Sequence, residues 1–310
     1  MTKNEPGIAQ MIRAPFLSSI ISPLFFGTLL AVYLNNSFNL FGFVLVMIMG
    51  TALHAATNVY NDIYDTKQGT DKVNVHRNEF SGGSGILVNF AHLENKMFGI
   101  ARVSLIMAGL STIAMMFFID QNLWLHLWVL YLLSAFFSKY YTAAPVKLAS
   151  RGWGEISVWF AFGPMAVLIA AVSQNIGLQT AVFAAMPLTG ISTLSILLIG
   201  QLIDYDADKQ TGKWGIAVRR GTKLTAILYS IVQFILVVNI IFLAIFVIES
   251  GWPLLISVVP YIVLLPKIMK VLKQNHAQAD KLKPAAGMNV QLHLFFSALL
   301  TISMIVVIIL

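Results

Sequence analysis

The chain has 310 residues, of which 58% are hydrophobic and 11% charged, whereas an ordinary soluble domain carries about a quarter charged residues. That inventory cannot cover a water-facing surface, and no polar linker divides it, so a single membrane domain over 1–310 is expected. The absence of cysteine excludes disulfides, thiolate metal sites and cysteine nucleophiles. The net charge of +7 reads as a marker of the cytoplasmic side rather than a nucleic-acid surface.

A crossing needs about 20 apolar residues to span about 30 Å of hydrocarbon. Nine segments meet that need: Phe16 to Leu34, Leu40 to Tyr60, Phe98 to Ile119, Leu123 to Ser138, Ile156 to Ser173, Thr180 to Ile203, Leu224 to Ile248, Trp252 to Val271 and Val290 to Leu310. Lys3 and Arg13 precede the first run without a small-residue cleavage site, so that run is expected to be retained as a span. Alternate connections differ sharply in charge. Those around Asn36, Asp120, Asn175 and Glu249 hold no Lys or Arg, while the others hold nearly all of them. This segregation predicts an all-α bundle of nine crossings with a cytoplasmic N-terminus, in the cytoplasmic membrane.

Two cytoplasmic ends carry acidic clusters. In the first, His54, Asn58, Asp62 and Asp65 fall within roughly 80° of arc if the helix persists, forming one polar stripe, and Asp71 follows. In the second, Gln201, Asp204 and Asp208 share a face while Asp206 points away and should be dispensable. Asp65-Thr66-Lys67-Gln68-Gly69 parallels Asp208-Lys209-Gln210-Thr211-Gly212, a hint of duplication. Stacked carboxylates near hydrocarbon would take up protons or bind a hard cation. Mg²⁺ prefers oxygen ligands and bridges carboxylates to phosphates. Two facing clusters are therefore expected to hold a diphosphate through metal ions, with Lys67, Lys72, Arg77, Lys147 and Arg151 binding the remaining phosphate oxygens. The competing reading makes the aspartates solvated loop charges that balance nearby lysines.

The run Asn58-Val-Tyr-Asn-Asp62-Ile-Tyr-Asp65-Thr-Lys-Gln-Gly69-Thr-Asp71 resembles the first aspartate-rich motif of the UbiA superfamily of intramembrane prenyltransferases. Asp204-Tyr-Asp-Ala-Asp208-Lys-Gln-Thr-Gly212-Lys213, continuing to Ala217-Val-Arg-Arg-Gly221, resembles the second. Tyr140-Tyr-Thr-Ala-Ala-Pro145-Val-Lys147, Gly152-Trp-Gly-Glu155, Phe162-Gly-Pro164 and the opening Arg13-Ala-Pro15-Phe-Leu are similar to the same family. The resemblance implies a helical bundle around a central cavity, open sideways to lipid for the prenyl tail. It implies a prenyl diphosphate held by Mg²⁺, with Asn58, Asp62, Asp65 and Asp71 serving one metal group and Asp204 and Asp208 the other. An aromatic acceptor would then attack the allylic carbon as diphosphate leaves. The spacing is most similar to the branch that prenylates 1,4-dihydroxy-2-naphthoate in menaquinone synthesis. The segment from Val75 to Gly85 departs from the Arg-Thr and Arg-Pro pattern usual in the haem and 4-hydroxybenzoate branches. Its Gly82 to Gly85 glycines suit a mobile lid, a close approach to phosphate or a helix end.

Three residues carry paired expectations. His54 either places the acceptor or packs near a helix end. Glu155 either orients an acceptor hydroxyl or pairs with Arg151 at i,i+4. Tyr141, grouped with Lys147 and the four motif aspartates as catalytic, either faces the cation or anchors at the interface. Alternative functions are a terpene cyclase of the same fold, a prenyltransferase with another acceptor, and a secondary transporter, although transporters place ionisable groups nearer mid-membrane.

Overall fold

The computed structural model describes residues 5–81 and 83–310, so Lys3 and Gly82 lie outside the described residues. Among those described there is no strand, only an isolated bridge between Asn78 and Ser81. Nine long helices follow in order: α1 (Ser18–Asn35), α2 (Leu40–Gln68), α3 (Glu94–Met115), α4 (Trp124–Tyr140), α5 (Gly154–Ser173), α6 (Thr180–Ile203), α7 (Thr222–Val247), α8 (Val259–Asn275) and α9 (Lys283–Ile309). All but α4 belong to segments long and apolar enough to cross a membrane. Helix α4 has 17 residues, about 25 Å of rise, which falls short of a hydrocarbon core of about 30 Å. The expected count of nine crossings thus meets eight helices that qualify by length and composition. Large apolar side chains face outward, including Phe117, Phe246, Ile262 and Ile309, as contact with lipid tails requires.

Helix α2 packs on α3 and α4, α1 on α5 and α9, and α6 on α5, α7 and α9, which closes the bundle. The α5–α6 crossing is tight. A Cβ on Gly163 would lie 2.6 Å from the Met186 carbonyl oxygen and 3.0 Å from the Gly190 Cα, so only a hydrogen side chain admits that approach. Pro164 stands in the wide π-turn Ala161–Met165 of α5, and Thr189 Oγ1 donates to the Phe162 carbonyl at 2.8 Å. A neighbouring helix thereby supplies a donor where the proline has disturbed the backbone ladder. In the C-terminal half, Tyr229 donates to Asn289 Oδ1 at 2.7 Å, and Ser192 meets His293 Nδ1 at 2.8 Å. These pairs join α6, α7 and α9 through polar contacts inside an apolar bundle.

The end away from the aspartates closes through amides. Asn35 donates to the Gln174 carbonyl at 2.7 Å, and Gln174 Nε2 donates to that of Asn39 at 3.0 Å. At the aspartate end, α2 continues eight residues beyond the expected Tyr60, to Gln68. Asn39 caps its start, accepting from Gly42 N at 2.9 Å, and Gly69 ends it at φ +91°, a left-handed turn that costs glycine nothing. The short helix Tyr205–Thr211 ends likewise at Gly212, φ +71°. The two turns lie side by side, with the hydroxyls of Thr70 and Thr211 2.8 Å apart.

Candidate active site

A cavity of about 270 Å³ lies between α1, α2, α4, α5 and α6. Its deep wall is apolar, with Ile20, Leu24, Met49, Leu53, Phe137, Phe162, Ile169 and Leu197. Its mouth carries Asn58, Asn61, Asp65, Asp71, Asp204, Asp208 and Lys213. An ionic head and an apolar tail therefore have separate places in one pocket.

The polar stripe on α2 forms because that helix is unbroken to Gln68, with Asp62 and Asp65 both buried. The second cluster is built differently. Helix α6 stops at Ile203, Asp204 takes a non-helical conformation at φ −86°, ψ 5°, and the next helix begins at Tyr205. The expected single face across Gln201, Asp204 and Asp208 is thus interrupted at its middle residue. Asp204 and Asp208 still line the cavity, and Asp206 is exposed.

Lys213 joins the clusters. Its Nζ lies 2.9 Å from Asp65 Oδ2 and 4.0 Å from Asp208 Oδ1. Arg13 approaches Asp62 Oδ1 at 3.9 Å, and its guanidinium lies 4.4 Å from the centre of the Phe16 ring. Asp62 Oδ1 also accepts from Ser84 N at 3.1 Å. Asp204 is engaged by the intervening segment: Asn74 Nδ2 donates to one oxygen at 2.7 Å and Ser81 Oγ to the other at 2.6 Å. Asp71 accepts a long bond of 3.4 Å from Thr66 Oγ1, and the Arg77 guanidinium donates to its backbone carbonyl.

Burial raises Asp71, Asp208 and Asp204. It pushes Asp71 up to about 7, aided by Asp65 and Asp62 and opposed by Arg77 and Lys213. It likewise pushes Asp208 up to about 7, against the pull of Lys213 and with the help of Asp204 and Asp65. Asp204 rises too through burial, restrained by its bonds from Ser81 and Asn74. Burial alone would lower Lys213, but Asp65 and Asp208 outweigh it and hold the ammonium charged well above its ordinary range. The phenol of Tyr141, on the cavity wall, is also raised by burial.

The donor set suits a hard cation. Asn61 Oδ1, Asp62 Oδ2, Asp65 Oδ1 and Asp208 Oδ1 are buried without a hydrogen-bond partner, and each is an oxygen of the type Mg²⁺ accepts. Among the described residues no three His, Asp or Glu side chains stand together so as to hold a metal ion by themselves. An ion at the mouth would be bound through one or two carboxylates and completed by water and phosphate oxygens.

Several expected residues stand elsewhere. Lys67 is exposed and bonded to Glu94 at 2.8 Å, and Lys72, Lys147 and Arg151 do not line the cavity. Arg77 lines an adjoining cleft beside the N-terminal segment. The basic residues on the cavity wall are Arg13 and Lys213. Proximity in sequence had favoured the lysines beside the motifs; helix direction turns those outward. Lys213 does follow Asp208 by five residues within the second motif, and Arg13 is the basic residue nearest the first span, the two available signals. Asn58 donates to the Ile12 carbonyl at 3.0 Å, fastening the N-terminal segment over α2. His54 lines the cavity, edge-on to Phe162 with ring centres 4.9 Å apart. Glu155 does not line it, and pairs with Arg219 at 3.2 Å rather than with Arg151. It also accepts from Gln201 Nε2 and Ile216 N, each at 2.7 Å. It clamps the segment after the second motif, leaving little capacity to orient a ligand.

A helical bundle of apolar spans with an acidic, lysine-bridged mouth above an apolar pocket defines a class: multi-pass membrane proteins with an amphipathic internal cavity. Residues 20–299 match the UbiA prenyltransferase family, and the chain belongs to that family. It is 26% identical over 293 residues to the 2-carboxy-1,4-naphthoquinone phytyltransferase of Synechocystis, covering 93% of this chain and 89% of that one. Its fold is similar to the apo structure of a UbiA homolog from Aeropyrum pernix, with a TM-score of 0.69 and 14% identity, covering 94% of this chain and 98% of the other. It is also similar to a UbiA homolog from Archaeoglobus fulgidus bound to GPP and Mg²⁺, with a TM-score of 0.61 and 14% identity over 94% and 99% of the two chains.

Proposed function

We propose that this prenyltransferase moves a prenyl group from a polyprenyl diphosphate to an aromatic quinone precursor of the 1,4-dihydroxy-2-naphthoate type. The observation that carries this reading is the meeting of Asp65 and Asp208, from the two aspartate motifs, on the single ammonium of Lys213 above an apolar pocket. The naphthoquinone acceptor in the name of the Synechocystis relative supports the bicyclic acceptor. The GPP and Mg²⁺ in the Archaeoglobus structure support the donor and the metal. We place residues 1–310 in one domain of nine crossings in the cytoplasmic membrane, with the N-terminus and the cavity mouth on the cytoplasmic side. The segregation of Lys and Arg supports that orientation.

Asp62, Asp65 and Asp208, each with a buried oxygen that accepts no hydrogen bond, would hold Mg²⁺ ions through one or two carboxylates apiece, with Asp71 beside them. Bound there, Mg²⁺ would neutralise the diphosphate as the allylic C1–O bond breaks. Asp204 serves that group by fixing the segment from Asn74 to Ser81 over the mouth. Arg13 and Lys213 supply N–H donors toward the phosphate oxygens. The apolar walls seat the prenyl chain and exclude water, which would otherwise trap the allylic cation. Tyr141 presents its ring to that cation. His54, on the cavity wall against Phe162, would contact the aromatic acceptor. A pair of ring electrons on the acceptor carbon forms the new bond to C1, the C1–O pair departs with diphosphate, and the ring carbon regains aromaticity by releasing its hydrogen as a proton or its carboxylate as CO₂.

The test is to incubate the purified chain with labelled prenyl diphosphates, Mg²⁺ and a panel of quinone precursors. Prenylated naphthoate is expected. Diphosphate release that never consumes an acceptor would replace transfer with cyclisation, and no turnover of any donor would defeat the proposal.

A further inference from the structure

Lys213 occupies an unusual position for a lysine. Its backbone is fixed: Lys213 N donates to the Asp208 carbonyl at 2.8 Å, directly after the left-handed turn at Gly212. Its side chain crosses from the second motif to the first, making a close contact of 2.9 Å with Asp65 and a loose one of 4.0 Å with Asp208. Each of those carboxylates keeps one buried oxygen without a hydrogen-bond partner. A side chain meant only as a permanent strut would be expected to engage both carboxylates closely, since unpaired buried oxygens carry a desolvation cost. Here the grip is partial, and the flexible four-carbon stem lets the ammonium move while its backbone stays anchored.

We infer that Lys213 is a displaceable counter-ion, which competes with divalent cations for Asp65 and Asp208 and, once displaced, donates to the diphosphate. This rests on the proposed diphosphate chemistry. An ammonium and a metal ion both draw on the charge of the same two acids, so seating one weakens the hold of the other. The yielding ammonium has its nearest new anion in the phosphate oxygens above the pocket. Lys213 would thus oppose binding of the metal alone and favour binding of metal and diphosphate together, biasing the site toward loading both.

The experiment uses the full chain in detergent, with Mg²⁺ alone and then inorganic pyrophosphate at saturating Mg²⁺ as probes, followed by thermal shift and calorimetry. Lys213→Met is expected to bind Mg²⁺ about tenfold more tightly and pyrophosphate about tenfold more weakly, the order set by one charge-assisted hydrogen bond. Lys213→Arg should keep pyrophosphate affinity but bind Mg²⁺ more weakly, because a guanidinium grips carboxylates bidentately. These opposite signs are not expected of a fixed strut. Unchanged or weakened Mg²⁺ binding in Lys213→Met, or unchanged pyrophosphate binding, would overturn the inference while leaving wild-type diphosphate chemistry intact. Absence of Mg²⁺ and pyrophosphate binding in the wild type would instead overturn the proposed function itself, and the inference with it. Should Lys213→Met fail to fold, Lys213→Arg decides alone, and an unchanged Mg²⁺ affinity there refutes the competition.

Discussion

The two aspartate motifs look alike in sequence and are held in different ways. On α2 the helix runs straight through Asp62 and Asp65, and each acid keeps one buried oxygen unbonded. In the second motif the helix breaks at Asp204, whose two oxygens are taken by Asn74 and Ser81, while Asp208 alone keeps a free one. Asp204 holds the segment between the motifs through two hydrogen bonds, whereas Asp62, Asp65 and Asp208 each keep a buried oxygen that accepts none, and the proposed Mg²⁺ site uses those oxygens.

The largest effects should come from the acids with free oxygens. Asp62→Ala and Asp208→Ala are expected to lower turnover by at least about 10²-fold while leaving the protein folded in detergent, as judged by size-exclusion and melting. Asp204→Asn should cost less, about tenfold, with increased proteolysis of the segment from Asn74 to Ser81 as the sign of a lost latch. A loss at Asp204 equal to that at Asp208, without loosening of that segment, would erase the distinction. Next comes pH. Asp71 and Asp208 are pushed up to about 7 by burial, so between the ordinary carboxylate range and neutrality the folded chain holds protons that the unfolded chain releases. Stability without divalent cations should then fall as pH rises through about 7, and Mg²⁺ should raise the melting temperature more at pH 8 than at pH 6. An equal or smaller shift at pH 8 would contradict those protonation states. The smallest effect belongs to Asp206→Ala, whose exposed side chain should change activity less than about twofold.

Much of the bundle was legible because hydrocarbon imposes a length that hydropathy reports directly; the expected sixth span, Thr180 to Ile203, coincides with α6. Hydropathy stops at the membrane surface, but helical hydrogen bonding does not. That is why α2 runs on to Gln68 and α9 begins at Lys283, seven residues before the expected Val290. The acidic stripe on α2 was legible through helical spacing, and the cluster after α6 only in part, because the helix breaks at Asp204. The cations that meet them were not, because Lys213 and Asp65 are 148 positions apart and the contact exists only once the halves close. Sequence proximity pointed to Lys67, which the turn of its helix places against Glu94 on the outside. The expected pairing of Glu155 with Arg151, one turn back, gives way for the same reason to Arg219, 64 positions away.

The central claim is that acids from both halves act as one diphosphate seat. Its most direct measurement is transfer of a labelled prenyl group to 1,4-dihydroxy-2-naphthoate by the chain in proteoliposomes, with Mg²⁺ or with chelator, for wild type, Asp62→Ala and Asp208→Ala. The expected result is transfer that requires Mg²⁺ and is lost in either variant alone. Transfer that persists under chelation, or survives in one of the two variants, would contradict a seat shared between the motifs.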